Sequence, residues 1–272
     1  MIAPSDASNR AVNERREPAD ATTRCFFLAE PPHAGRARLL EEDEQHAARV
    51  LRLSTGDALT GLDGRGGRWP LLVTAVRKAT LELEVTAEPT LEPEPGAEGA
   101  PLPWIELAIA FPKGGRADDM LDHVVQLGVA AITPLIAERS QGFDAERVEH
   151  RHERWMRIAR AACKQARRAW LPTIGEARSV RALLAAHPAQ ANVLLHPKAA
   201  SKLELVLRQV PWTVRERPLR LLVGPEGGWT DEEALELARC GALPAALAPH
   251  VLRIETAAEA ALAVTVSALW RR

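Results

Sequence analysis

The spacing of apolar and polar residues divides this chain into two parts of different style. Between residues 24 and 88 the apolar residues fall in short runs that end at turn-forming residues, a pattern typical of β-strands. In this part we predict one helix followed by three strands, at residues 41–53, 57–64, 69–76 and 80–86. Residues 24–88 are therefore expected to form a small β-barrel-like domain.

From residue 104 onward, buried-type strands alternate with segments of helical periodicity. The predicted strands lie at residues 104–110, 132–136, 192–195, 219–223 and 245–247. The predicted helices lie at residues 116–127, 149–168, 230–238 and 256–270. This alternation predicts an α/β domain over residues 104–272, with a mostly parallel sheet covered on both faces.

Two segments lack any such periodicity. Residues 1–23 are rich in Ala, Asn, Asp, Glu and Arg, and we expect them to form a disordered tail. Residues 89–103 contain five prolines and three glutamates, a composition that predicts a stiff, solvated linker between the two domains.

Composition narrows the function classes. With 272 residues, 46% of them hydrophobic, the chain has enough apolar surface for a full core, and its net charge of −1 predicts no global attraction to nucleic acid. The three cysteines are far apart in the sequence, which argues against a zinc site and against a disulfide framework, and fits a reducing cytoplasm. No long apolar run predicts a membrane span and no secretory signal is recognised, so we expect a cytoplasmic protein without metal or membrane.

Two blocks near the C-terminus carry the candidate chemistry. Leu221–Glu233 and Val251–Glu259 each read as an apolar strand, a loop and then a helix. Gly224, Gly227 and Gly228 would let the backbone approach a ligand closely, although an ordinary strand-to-helix turn is the alternative. The block matches neither a P-loop nor the dinucleotide fingerprint. A nucleoside-like ligand held by backbone groups at strand ends is therefore the interpretation we favour.

Both blocks contain a sequence typical of helix N-termini. Thr230 and Glu233, and again Thr256 and Glu259, have the spacing of a capping box, in which the hydroxyl and the carboxylate satisfy free backbone N–H groups. This interpretation explains the four residues without any catalytic role.

Basic residues form two candidate sites. Arg253, between apolar neighbours, is expected to fix a carboxylate or phosphate, with a buried structural ion pair as the alternative. Residues 147–181 hold ten Arg or Lys and only three Glu. That excess predicts a surface for a polyanion, and a solvated amphipathic helix is the competing interpretation.

Nine short stretches, in this order and spacing, resemble one known family, the ribosomal RNA small subunit methyltransferase E family of the SPOUT methyltransferases. They are His46–Leu53, Phe111–Arg116, Gln126–Val129, Ile132–Leu135, Glu138–Ser140, Ala161–Arg168, Leu195–Pro197, Val223–Gly228 and Val251–Ala257. The resemblance covers nearly all of residues 24–270. It implies a PUA-like RNA-binding barrel at residues 24–88 and a SPOUT domain with a trefoil knot at residues 104–272.

The resemblance also implies an activity. A protein of this family is a homodimer that transfers methyl from S-adenosyl-L-methionine to N3 of a uridine in 16S ribosomal RNA of the small subunit. The implied cofactor-binding residues are Leu195, His196, Pro197, Val223, Gly224, Pro225, Glu226, Gly227, Gly228, Leu247, Ala248, Val251, Leu252, Arg253 and Ile254. The implied RNA-binding residues are Arg52, Lys113, Arg139 and Arg168.

The catalytic assignment has one candidate for charge stabilisation and two alternatives for the proton acceptor. Arg253 is expected to stabilise the uracil anion that forms when N3 loses its proton. Either Glu255 or Glu226 would accept that proton or orient Arg253. Two rival functions stay open: a non-catalytic RNA-binding or ribosome-assembly protein, and a related methyltransferase that acts on a different RNA.

Overall fold

Two β-sheets, one mixed and one wholly parallel, organise the chain. The computed structural model describes residues 24–78, 80–140, 145–186 and 189–271, so the expected disordered tail at residues 1–23 lies outside the described residues. The mixed sheet belongs to the N-terminal part and the parallel sheet to the C-terminal part.

The N-terminal sheet has six strands and one short helix beside it. Its elements are β1 (Cys25–Phe27), β2 (Arg36–Ala37), α1 (Glu41–Gln45), β3 (Ala58–Leu62), β4 (Gly67–Arg77), β5 (Thr80–Val85) and β6 (Thr90–Leu91). The strand order is β1-β3-β4-β5-β2, with β6 on β4, and β1 is the strand that runs parallel to its neighbour. A small apolar core that includes Phe26, Leu59, Leu71 and Val73 fills this sheet.

The C-terminal sheet has seven strands, and every recorded pair is parallel. Its elements are β7 (Ile105–Ile109), α2 (Arg116–Gln126), β8 (Ala131–Ile136), α3 (Ala145–Ala166), β9 (Thr173–Ile174), β10 (Arg178–Ser179), α4 (Val180–Ala186), β11 (Ala191–Leu195), α5 (Leu203–Leu207), β12 (Leu219–Val223), α6 (Asp231–Arg239), β13 (Leu243–Ala245) and α7 (Ile254–Leu269). The strand order is β10-β8-β7-β12-β11-β13, with β9 on β8.

Side chains of β7 alternate between two cores on opposite faces of this sheet. Ile105, Leu107 and Ile109 enter the larger core, which α2, α3, α5 and α7 complete, whereas Ala108 enters a smaller core with residues of α4 and α6. The expected α/β class with a mostly parallel, doubly covered sheet is thus confirmed.

Most predicted elements exist, with ends that differ by a few residues. The predicted helix at residues 41–53 stops being α-helical at Gln45 and continues as a π-helical turn, His46–Val50. The last predicted strand, at residues 245–247, instead spans Leu243–Ala245. The short elements β1, β2, β6, β9, β10, α4 and α5 were not predicted, because segments this short carry little periodicity of their own.

Only one of the two expected capping boxes forms. The Thr230 hydroxyl accepts a hydrogen bond from the Glu233 backbone N–H, and the Glu233 carboxylate accepts one from the Thr230 backbone N–H. The prediction at Thr256 is wrong, because α7 begins at Ile254 with Arg253 as its N-cap. The earlier start places Ile254 and Ala258 on one buried helical face.

The segment 89–103 is less solvated than its composition predicts. Thr90 and Leu91 pair with β4, and the Glu92 carboxylate contacts Arg68 and accepts a hydrogen bond from the Ala169 backbone N–H at 2.9 Å. The Glu92 backbone carbonyl accepts another from the Trp170 indole. This segment therefore packs between the two sheets.

Some of the ten basic residues in the region 147–181 form ion pairs with other described residues, namely Arg154, Arg160, Lys164 and Arg181. Lys164 contacts the buried Asp43 and Arg160 lies 3.5 Å from Glu42, so α3 docks onto α1 of the N-terminal part. Arg154 contacts Asp118 on α2. Trp155 and Ala159 of α3 are buried while Arg154 and Arg157 are exposed, which agrees with an amphipathic helix, and some of its charges also join elements of this chain. The polyanion surface stays a prediction.

A row of buried polar side chains crosses the middle of the parallel sheet. The Arg220 side chain is 0% exposed, and its Nε donates to Glu106 Oε2 at 2.9 Å, while its Nη1 donates to Asn192 Oδ1 at 3.2 Å. The Thr133 hydroxyl donates to Glu106 Oε1 at 2.6 Å. Four neighbouring strands, β8, β7, β12 and β11, each supply one member of this polar row.

We expect Arg220→Met to lower the free energy of unfolding by about 3–5 kcal/mol, because Glu106 would stay buried without its charge partner. Urea unfolding measures the change, and adding Glu106→Gln should recover at least half of it. The control is Arg208→Met, which removes an exposed ion pair with Glu204 and should cost no more than about 1 kcal/mol. Equal losses in the two single variants would contradict a special role for the polar row.

We expect Thr230→Ala to cost about 1 kcal/mol of unfolding free energy, because the cap of α6 is lost. Thr256→Ala removes the same atoms from a residue that caps no helix, so it should change stability by less than about 0.5 kcal/mol. Thermal unfolding of the two variants side by side tests this, and an equal effect would argue against the assigned helix start.

Candidate active site

A cavity of about 620 Å³ opens at the carboxyl ends of β12, β11 and β13, three neighbouring strands of the parallel sheet. The loops that follow these strands form its walls. All fifteen residues expected to hold the cofactor line this cavity. Crevices at the carboxyl ends of parallel strands are where open α/β sheets bind ligands.

The loop after β12 folds tightly around two side chains. A Cβ atom on Gly224 would lie 2.8 Å from the ring of Trp229, which is only 8% exposed beneath it. A Cβ atom on Gly227 would lie 3.0 Å from Cβ of Arg139. Gly228 has φ +68°, a conformation that L side chains rarely adopt. A larger residue at any of these three positions would clash or be strained. The backbone of this loop therefore lines the cavity directly.

The loop after β11 presents a histidine of defined tautomer. The Lys198 backbone N–H points to His196 Nδ1 at 3.2 Å, so Nδ1 accepts and the neutral ring carries its proton on Nε2. The His196 backbone N–H in turn donates to the Ala245 carbonyl at 3.0 Å, which ties this loop to the end of β13.

The loop after β13 ends at Arg253, the N-cap of α7. The Arg253 side chain is exposed at the cavity, and no ion pair involves it among the residues that the structure describes. The alternative of a buried structural ion pair is thereby excluded. Val251 on the same loop is 84% exposed, an unusual position for an apolar side chain.

The two candidate carboxylates lie in different places. Glu226 is exposed and, like Arg253, lines the cavity. Glu255 is not among the lining residues: its Oε1 lies 3.4 Å from Nη1 of Arg116 on α2. The candidate role of Glu255 as a proton acceptor in the cavity is corrected, because the first turn of α7 directs this side chain to α2.

The same α2–α7 contact holds a second ionisable pair. His123 Nδ1 lies 3.0 Å from Glu259 Oε1, and this hydrogen bond raises the pKa of the His123 imidazole. The pair joins the two helices outside the cavity.

The four expected RNA-binding residues have different surroundings. Arg52 and Lys113 are exposed, and Arg52, just after the π-helical turn, has φ +52°. Arg139 lines the cavity and binds backbone carbonyls of the glycine loop. The expectation that Arg168 faces RNA is wrong: it is 9% exposed, its Nη1 donates to the Val125 carbonyl, and burial lowers the pKa of its guanidinium.

Trp229 and Lys198 also line the cavity, although neither was singled out from the sequence. Trp229 directly follows Gly227 and Gly228 in the sequence, and this position next to the glycine loop is the feature that could have indicated its place in the cavity. In the described ranges no group of three His, Cys, Asp or Glu side chains is arranged to hold a metal ion, and none of the described helices is long and apolar enough to cross a membrane.

Comparisons with known proteins agree on one family. A family model described as an RNA methyltransferase domain matches residues 99–266. Ribosomal RNA small subunit methyltransferase E of Synechocystis is 34% identical over 219 residues, which cover 79% of this chain and 67% of that protein. The Mycobacterium bovis protein of the same name is 29% identical over 246 residues, or 87% of this chain and 88% of its own length.

Solved structures agree as well. A Legionella pneumophila methyltransferase with bound S-adenosylmethionine superposes with a TM-score of 0.76 and 30% identity, covering 90% of this chain and 98% of that one. Ribosomal RNA small subunit methyltransferase E of Neisseria gonorrhoeae, bound to S-adenosyl methionine, gives a TM-score of 0.76 and 28% identity, with 90% and 97% covered. With its cavity, its parallel sheet and these relatives, the chain belongs to the ribosomal RNA small subunit methyltransferase E family.

Proposed function

We propose that this protein methylates N3 of a uridine in 16S ribosomal RNA of the small subunit, with S-adenosyl-L-methionine as methyl donor. The observation that carries the proposal is the single cavity in which three loops of the family pattern meet, with Arg253 and Glu226 both at its wall. Membership of the family and the cofactor seen in its relatives support the same activity.

The cavity fits a nucleoside-sized cofactor. Its volume lies within the range of about 300–1,000 Å³ that is usual for small-molecule sites. Apolar side chains such as Leu195, Leu247 and Ile254 would enclose the adenine, and the glycine loop would supply backbone groups for the polar atoms. The bound cofactor supplies an electrophilic methyl group on its sulfonium.

The residues of the chain would make uridine N3 nucleophilic. N3 carries a proton at neutral pH, and Glu226, exposed at the cavity, would accept it. Arg253, which has no recorded partner among the described residues, would place its guanidinium beside the oxygen on which negative charge develops. We assign the proton to Glu226 because Glu255 lies against α2.

RNA would contact both parts of the protein. Arg52 on the N-terminal part and Lys113 on the loop after β7 are exposed cations suited to phosphate. We propose that residues 24–88 act as a PUA-like RNA-binding barrel, that residues 89–103 connect it to the catalytic domain, and that residues 104–272 form that domain. Ribosomal RNA as substrate implies action in the cytoplasm.

We also propose that two copies form a homodimer, with the C-terminal segment knotted as in other SPOUT proteins. The sequence of α7 is apolar on most sides, yet Ala263, Ser267 and Ala268 are exposed along one side. Helices that are apolar all round are normally buried. The exposed Val251 lies beside the N-terminus of the same helix, so a second copy would cover both.

The direct test is methyl transfer from labelled S-adenosylmethionine to small ribosomal subunits that lack the modification, followed by nucleoside analysis. We expect 3-methyluridine as the product. Incorporation into another nucleoside or another RNA would favour the related methyltransferase. If the protein neither binds the cofactor nor transfers methyl, the result would favour a non-catalytic RNA-binding or ribosome-assembly protein.

We expect Arg253→Met and Glu226→Gln each to slow methyl transfer by about 10²–10³-fold, with cofactor affinity changed only a few-fold. Raising the pH should restore Glu226→Gln in part, because uridine N3 then loses its proton to solvent, whereas Arg253→Met should not recover. Single-turnover rates across pH measure both effects. If Glu255→Gln slows methyl transfer and high pH restores its rate, while Glu226→Gln transfers methyl at the normal rate, the proton acceptor is Glu255 and not Glu226.

A further inference from the structure

The chain just after β8, residues 137–140, lies against the glycine loop at residues 224–229. The family resemblance implies an RNA contact for Arg139 in this segment. We propose instead that Arg139 is a positioning residue, which holds the glycine loop in the form that binds the cofactor. The proposal rests on the proposed function in taking that loop as part of the cofactor site.

Arg139 bonds to two carbonyls of the loop. Its Nη1 donates to the Gly227 carbonyl at 3.0 Å and to the Trp229 carbonyl at 3.3 Å. The aliphatic part of the side chain lies over Gly227, where an added Cβ would meet Arg139 Cβ at 3.0 Å and Cδ at 3.3 Å. The absence of a side chain at Gly227 is thus what lets the arginine lie so close to the loop.

These bonds fix whole peptide groups, because each carbonyl shares its peptide with an amide that is also bonded. The Gly228 N–H, in the same peptide as the Gly227 carbonyl, donates to the Pro225 carbonyl at 2.9 Å. The Thr230 N–H, in the same peptide as the Trp229 carbonyl, donates to Glu233 Oε2 at 2.9 Å. Arg139 therefore adds a second hydrogen bond to each of two peptide groups, one of them between Gly227 and Gly228, where the backbone is most free to rotate.

The segment that carries Arg139 is itself anchored on both sides. The Glu138 backbone N–H donates to Glu233 Oε1 at 2.9 Å, and the Ala137 backbone N–H donates to the Ser140 hydroxyl at 3.1 Å. Glu233, which is 9% exposed, thus links the end of β8 to the cap of α6. The fixed backbone sets the position from which the Arg139 side chain reaches the loop, so its two hydrogen bonds can order the loop before any ligand arrives.

The test compares Arg139→Met, which keeps much of the aliphatic stem but removes the donors, with Arg139→Lys, which keeps a cationic donor. Calorimetric binding of S-adenosylhomocysteine gives the cofactor affinity, and hydrogen exchange of the loop amides gives its order. For Arg139→Met we expect the Kd to rise on the order of 10–100-fold, as loss of charge-assisted hydrogen bonds implies. Exchange in residues 224–230 should accelerate, and Arg139→Lys should recover part of both effects.

The matched control is Arg157→Met, which removes the same charge from an exposed residue of α3, a helix that contributes no residue to the cavity, and should leave the Kd and the loop exchange unchanged. The KM for ribosomal RNA at saturating cofactor should also stay within about twofold in Arg139→Met. The proposal gives Arg139 no contact with RNA, and a change in KM alone would report a lost contact with that substrate. A raised KM for RNA with unchanged cofactor Kd and loop exchange would overturn the proposal in favour of an RNA contact.

The proposed function can fail separately. If the native protein binds S-adenosylhomocysteine but forms no 3-methyluridine, the activity is wrong while the effect of Arg139 on Kd still tests its positioning role. If the native protein binds no cofactor, the cofactor site itself is refuted, and with it the positioning role for that ligand. Unchanged loop exchange in a folded Arg139→Met protein would refute the positioning role in either case.

Discussion

The charge pair between Glu106 and Arg220 constrains the four central strands of the C-terminal sheet. Both side chains are buried, each is the ion-pair partner of the other, and Thr133 and Asn192 form hydrogen bonds with the pair. A slip of one residue in any of these four strands would send its polar member to the opposite face, into the larger apolar core. The row thereby sets the register of β8, β7, β12 and β11, and with it the height at which their loops emerge.

The cavity depends on that common height. Three of its walls are loops that leave adjacent strands at the same edge, and each is tied to a neighbour: His196 to Ala245, Ala246 to Ser201, and the glycine loop to Arg139. The site therefore combines loops held by hydrogen bonds to their backbone with side chains such as Arg139, Trp229 and Arg253 that line the cavity. Loops held in this way are rigid. Their backbone groups can form hydrogen bonds with the polar edge of a flat heterocycle.

The residues that line this cavity were predicted from the sequence more accurately than the surroundings of the charged residues. A tight loop is predicted by Gly224, Gly227 and Gly228, because few other residues fit such a loop. Arg253 is conspicuous because its neighbours in the sequence are apolar. By contrast, Arg168 and Lys164 look like surface residues until α3 meets α2 and α1, since burial of a charge depends on what packs against it. Thr256 resembles Thr230 in its local pattern, and the difference arises from the burial of Ile254 in the core.

The docking of α3 onto α1 has a consequence for how substrates are chosen. Lys164 with Asp43, and Glu92 with Arg68 and Ala169, fasten the N-terminal sheet to the catalytic domain at several points rather than through a loose tether. The distance between Arg52, the proposed RNA contact, and the cavity is then fixed by these contacts. Under the proposed function, an RNA would be methylated when its folded shape places the target base at that distance from the bound phosphate, so shape would contribute to selectivity together with sequence.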